Sequence, residues 1–161
     1  MNWTTTLYAA LAAAAGSCIA LQASANGKFR QNLGDAAGDA APEYVGPAWA
    51  SYFSICGTIL CATLAMVILR PPLPTREMLQ GTQWWNWIGG PLGAAIVLAG
   101  ATLTPKLGAA AFVALIVGGQ ILCSMVLDHF GLMGLKQVPL TEGRVIGAVL
   151  VVIGVACVKF L

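Results

Sequence analysis

Five long apolar segments, separated by short polar or proline-containing stretches, dominate this chain. They run roughly over 3–23, 48–69, 87–103, 107–127 and 145–161. Each is about 17 to 23 residues long, and at ~1.5 Å of rise per residue a helix of that length crosses a hydrocarbon core of about 30 Å. Lipid offers no partner to backbone N–H and C=O groups, so each segment must be a helix that satisfies its own hydrogen bonds. Composition agrees, since 58% of the residues are hydrophobic and 9% charged, against about 25% charged in a soluble domain. The expectation is an all-α integral membrane protein with five transmembrane helices, a single membrane domain over 1–161 with no room for a separate soluble module.

The eight basic residues carry the next clue. Threading the segments through a bilayer in order places Lys28, Arg30, Lys106 and Lys159 on one side and Arg70, Arg76, Lys136 and Arg144 on the other. Insertion normally retains Lys/Arg-rich loops in the cytoplasm. With four against four that bias is absent, so the chain can insert either way up and two copies of opposite orientation can meet. The first expected partner is therefore a second copy in an antiparallel homodimer, and the second is the lipid bilayer.

Several other classes are disfavoured. The net charge of +2 is scattered and forms no polybasic patch for nucleic acid or anionic lipid. The cysteines Cys18, Cys56, Cys61, Cys123 and Cys157 all lie inside apolar segments without metal-ligand spacing and read as small packing residues, so neither metal nor cofactor is expected. No Gly-rich phosphate loop suggests an ATP-driven pump. An Asp-His pair alone is no catalytic constellation, so an enzyme is not expected. Ala23-Ser24-Ala25 imitates a leader-cleavage site, but no Lys or Arg precedes the apolar run, which reads better as the first span.

Between the spans, the stretch from Asn26 to Pro47 reads as the longest loop, acidic through Asp35, Asp39 and Glu43, with room for a short interfacial helix near Lys28–Leu33. Pro71 and Pro72 stop the second span, and a polar linker follows to Gln83. Trp84, Trp85 and Trp87 form an interfacial aromatic belt. Thr104-Pro105-Lys106 reads as a tight turn joining the third and fourth spans into a helical hairpin. Gly89 and Gly93 are four apart, as are Gly143 and Gly147, and Gly154 follows seven after Gly147. Helices in lipid associate through close approach over small residues, so these glycines are candidates for helix packing or dimerisation.

The fourth span carries a polar stripe. Gln120, Ser124 and Asp128 are four residues apart and share one helical face. Such side chains should turn toward the bundle or a water-filled cavity. Asp128 falls near the far membrane interface, where a carboxylate opposes the helix macrodipole and calls for a compensating partner. His129 could relay protons, but a simple ion pair with Asp128 is the favoured reading. Gln22 and Asn26, also four apart, either join a polar cavity or cap the end of the first span. That span has no acidic residue with which to exchange a proton for a cationic drug.

From Trp84 onward the chain resembles the YdcZ-like family of inner-membrane transporters in the drug/metabolite transporter superfamily. The resemblance rests on Trp84–Ala94 (WWNWIGGPLGA), Thr104–Ala110 (TPKLGAA), Gly118–Gln120 (GGQ), Asp128–Gly134 (DHFGLMG) and the Gly143–Val155 run. Nearer the start, Gln22 with Asn26 and Ser51–Gly57 agree, while the acidic first loop is longer than the pattern requires. The resemblance implies a multi-pass protein of the bacterial inner membrane, half the size of relatives built from two inverted five-helix repeats. A second copy inserted upside down would supply the missing repeat. The expected function is a secondary active, proton-coupled exporter of a small polar or amphipathic metabolite or drug, working by alternating access. Gln22, Asn26, Asn86, Trp87, Gln120 and Ser124 are the candidate substrate ligands, and Asp128 with His129 the candidate coupling or gating pair. The rival reading is a non-transporting membrane scaffold or accessory subunit.

Overall fold

The structure, a computed structural model, describes residues 2–161 and contains no strand among them. Five long helices are long and apolar enough to cross a membrane. They are α1 (Trp3–Ala37), α2 (Val45–Leu69), α4 (Gly89–Leu107), α5 (Ala109–Phe130) and α6 (Glu142–Phe160). A short α3 (Arg76–Gln80) and a 3-10 turn at Trp84–Trp87 lie between α2 and α4.

Local chemistry explains most boundaries. Arg70 closes α2 in the left-handed region, its N–H bonded to the Met66 carbonyl, and Pro71 cannot continue the helix. Thr75 caps α3 by accepting the Met78 N–H, and Thr141 caps α6 by accepting the Arg144 N–H. Glu142 in the first turn of α6 and Lys159 in its last both complement the helix dipole. Gly131, at φ 60°, ends α5 by donating to the carbonyls of Leu127 and Asp128.

Two expectations need correction. The first span does not end near residue 23, because α1 continues unbroken for 35 residues. At ~1.5 Å per residue that is roughly 50 Å, well beyond the hydrocarbon core. Its last turns absorb the supposed interfacial helix near Lys28–Leu33 and shorten the loop to a few residues before Val45. Second, Thr104-Pro105-Lys106 is not a turn. Pro105 sits in the last turns of α4, and the break falls at Gly108, whose φ of 84° is one that side chains rarely adopt. The polar linker before Trp84 holds the short α3. None of these shifts moves a basic residue to the other end of a span.

The chain divides into two compact units. One comprises the residues up to Leu21 together with Lys106–Leu161, and the other is Gln22–Pro105. In the first, α5 packs on α6 where Gly118 faces Val155. A Cβ at Gly118 would lie 3.3 Å from the valine methyl. In the second, the late turns of α1 meet α2 and the end of α4 over glycines. A Cβ at Gly46 would lie 2.5 Å from the Arg30 carbonyl oxygen, and one at Gly27 would lie 3.4 Å from Pro105 and Thr104. Phe29 and Phe53 pack nearby in a tilted pair with ring centroids 5.9 Å apart. Small residues allow the close backbone approach that replaces hydrophobic driving force in lipid.

Little apolar surface is covered within the chain. The most hydrophobic windows of α1 and α2 are 0% buried, those of α4 and α5 17% and that of α6 6%. Continuous apolar surface of this extent belongs against lipid or another protein, and the chain is a multi-pass membrane protein.

Candidate functional site

The unit built on α5 and α6 contains an ion-pair clasp. Asp128, in the last turn of α5, accepts a hydrogen bond from Arg144 Nη2 through Oδ2 at 2.5 Å. Their side chains are 29% and 35% exposed, respectively. Arg144 Nη1 also donates to the Val138 carbonyl at 3.3 Å, while the Val138 N–H donates to the Asp128 carbonyl at 2.8 Å. The guanidinium therefore joins the end of α5, the intervening loop and the first turn of α6. Opposite charge supplies the compensation that a carboxylate at a helix C-terminus requires.

The favoured Asp128–His129 ion pair is thereby corrected. Arg144 takes the carboxylate, and His129 turns to the loop instead. Its Nδ1 accepts the Leu140 N–H at 3.4 Å, and its carbonyl accepts from Gln137 Nε2 at 2.9 Å. Its ring packs edge-on to Phe130 with centroids 4.7 Å apart. Gln120 and Ser124 precede this clasp on α5, both exposed. The Ser124 hydroxyl bonds back to the Ile121 carbonyl of its own helix at 2.9 Å.

The Gln22–Pro105 unit has its own polar centre. Asn26, Ser51 and Thr104 are each more than nine-tenths buried, one from each of α1, α2 and α4. Asn26 Nδ2 donates to Ser54 Oγ at 3.1 Å, so Asn26 binds α2 within the fold. The hydroxyls of Ser51 and Thr104 are buried without a hydrogen-bond partner among the described residues. The same unit carries an open cleft of about 600 Å³. Gln22 stands on it, with Ile55, Thr58 and Ile59 of α2 and Gly89, Gly90, Gly93, Ile96 and Val97 of α4. Gln22 and Asn26, one turn apart, thus have different duties: the first faces open space and the second holds helices together.

Asn86 and Trp87 are engaged in the loop before α4. Asn86 Oδ1 accepts the Gln83 N–H at 2.7 Å in a capping box. Trp87 Nε1 donates to Thr82 Oγ1 at 3.1 Å. Both side chains belong to exposed residues, and their hydrogen bonds fix the entry into α4.

The glycine expectation is corrected in part. A Cβ at Gly89, Gly93, Gly143, Gly147 or Gly154 would meet nothing within 4 Å, so none of the five is a close contact within the chain. The close approaches occur at Gly27, Gly46 and Gly118. Sequence reasoning also missed Arg144 as the partner of Asp128. The signal was present, since threading puts both at the same end of adjacent spans.

The profile of a family described as "Putative inner membrane exporter, YdcZ" matches residues 7–157. The curated "Inner membrane protein YdcZ" of Escherichia coli (strain K12) is 35% identical over 80 residues, which cover 48% of this chain and 52% of that protein. The aligned part thus spans about half the length of that relative. No solved structure matches the chain. Five membrane-length helices and a match over nearly the whole sequence lead to one conclusion: this chain belongs to the YdcZ family of inner-membrane proteins.

Proposed function

We propose that this protein is a secondary active exporter of a small polar or amphipathic solute, assembled as an antiparallel homodimer and working by alternating access. The observation that carries the proposal is the four-to-four division of Lys and Arg between the two ends of five spans. An odd number of spans with no charge bias lets two identical chains insert in opposite senses. Together they reproduce the inverted repeats on which transporters of this architecture build a site near the midplane. The glycines of α4 and α6 that have no neighbour within the chain support this reading, because they leave bare backbone for a partner or a ligand.

In this mechanism the Asp128–Arg144 clasp is the gate. Protonation of Asp128 removes the charge that holds Arg144, frees the end of α5 from the start of α6, and so couples proton entry to the rocking of the two halves. Gln120 and Ser124, exposed and preceding the clasp on the same helix, supply hydrogen bonds to the solute.

Orientation-biased variants test the assembly. Leu73→Lys with Gln80→Lys adds charge to one end, and Ala37→Lys with Ala40→Lys to the other. All four positions are exposed. Each double variant alone should adopt one orientation and lose export, and co-expression of the two should restore it. Full activity of a singly biased variant, shown by loop-cysteine labelling to lie one way up, refutes the antiparallel dimer.

A further inference from the structure

We propose that the cleft of the Gln22–Pro105 unit binds an electrically neutral, amphipathic small molecule, which offers one amide- or hydroxyl-type group to Gln22 and lays a flat apolar body on the glycine face of α4. The proposal rests on the exporter reading above and narrows it to a solute class.

Size comes first. A cleft of about 600 Å³ falls within the range of small-molecule sites, about 300–1,000 Å³. Its shape is set by missing side chains. Gly89, Gly90 and Gly93 line one wall, and a Cβ at any of them would meet nothing within 4 Å. The backbone itself is the contact surface there, which suits a planar group. Ile55, Ile59, Ile96 and Val97 supply apolar sides.

Polarity comes second. The Gln22 amide, with donor and acceptor both to offer, has no hydrogen-bond partner among the described residues. The Thr58 hydroxyl donates to the Ser54 carbonyl at 3.1 Å and keeps only acceptor capacity. A lipid tail would leave the Gln22 amide unsatisfied, at a cost. A solute with its own polar group satisfies it.

Charge decides the class. No lining residue is ionisable. An ion drawn into an apolar cleft needs a counter-charge to offset its lost hydration. A cation therefore finds no partner, and a neutral solute needs none.

Three probes of similar size separate the possibilities: N-benzylacetamide, benzyltrimethylammonium and phenylacetate. Equilibrium dialysis against the full chain in neutral-lipid nanodiscs should show saturable binding of N-benzylacetamide, with both ions weaker by about tenfold or more. Gly93→Leu should fill the cleft and lower that binding by about tenfold, and Gln22→Leu by about three- to tenfold, the worth of one hydrogen bond. Gly57→Leu, on α2 outside the cleft and also without a neighbour within 4 Å, should leave it unchanged. Circular dichroism checks that each variant is folded, and Gly90→Val replaces Gly93→Leu if that protein is not. Equal or tighter binding of the cation, no saturable binding of N-benzylacetamide, or binding indifferent to both cleft variants overturns the proposal. Flux into proteoliposomes separates it from the exporter reading. Binding as expected without flux refutes export and keeps the site, whereas flux of N-benzylacetamide that Gly93→Leu leaves intact refutes the site and keeps export.

Discussion

Replacing Gly46 by alanine tests the close contact between α1 and α2. The new methyl would sit 2.5 Å from the Arg30 carbonyl oxygen, 3.2 Å from Arg30 Cγ and 3.3 Å from the Gly34 nitrogen. The first and third are backbone atoms of a helix and cannot swing aside, so α2 must move away by several tenths of an ångström. Overpacking of this kind costs about 1–3 kcal/mol. The shift also stretches the 3.1 Å Asn26–Ser54 hydrogen bond, which is worth about 0.6 kcal/mol or somewhat more between membrane helices. Against these, alanine gains about 1 kcal/mol of helix propensity over glycine. The balance is a destabilisation of about 1–2 kcal/mol. Gly147→Ala is the control, because its methyl meets nothing within 4 Å and the propensity gain stands unopposed. The assay is reversible unfolding in mixed lipid–detergent micelles, titrated with dodecyl sulfate and followed by tryptophan fluorescence at protein concentrations that keep the chain monomeric. Gly46→Ala should lower the midpoint, and Gly147→Ala should leave it level or raise it. Equal midpoints for the two variants would refute the close α1–α2 contact. Repeating the Gly147→Ala measurement at concentrations that support dimers adds a test of the assembly, since loss of association there places α6 at the subunit contact.

Three further outcomes follow from two other sites. A double-mutant cycle with Asp128→Asn and Arg144→Gln, read in the same unfolding assay, should give a coupling of about 1 kcal/mol, modest because both side chains are about one-third exposed and solvent screens the pair. Asp128→Asn should also abolish the pH dependence of flux without loss of dimer on crosslinking, and unchanged pH-dependent flux would remove Asp128 from the mechanism. Gly108→Val should cost about 1–3 kcal/mol, because φ of 84° between α4 and α5 is strained for a β-branched residue. A midpoint equal to that of the parent would show that another conformation serves there.

The ends of helices were legible where a side chain or ring acts on its own backbone. Pro71, read as the stop of the second span, marks a true boundary after Arg70. Pro105 misled for a related reason. A proline is read as a breaker because it removes a hydrogen bond to the preceding turn, yet near the end of α4 the loss is small and Gly108 performs the break. The overrun of α1 past residue 23 was hidden because its polar tail, Gln31 to Asp35, no longer follows an apolar pattern although it stays helical against α2.

Membrane class, the number of spans and the even division of basic residues are properties of the chain read in one dimension, since hydropathy and loop charge act on each segment separately. Partner choice is not of that kind. Only the packed structure decided that Arg144 rather than His129 answers Asp128, that Asn26 holds helices while Gln22 faces a cleft, and that Gly27, Gly46 and Gly118 rather than the spaced glycines of α4 and α6 carry the internal contacts. Each depends on how neighbouring helices rotate about their own axes, and side chains on every helix set those rotations jointly.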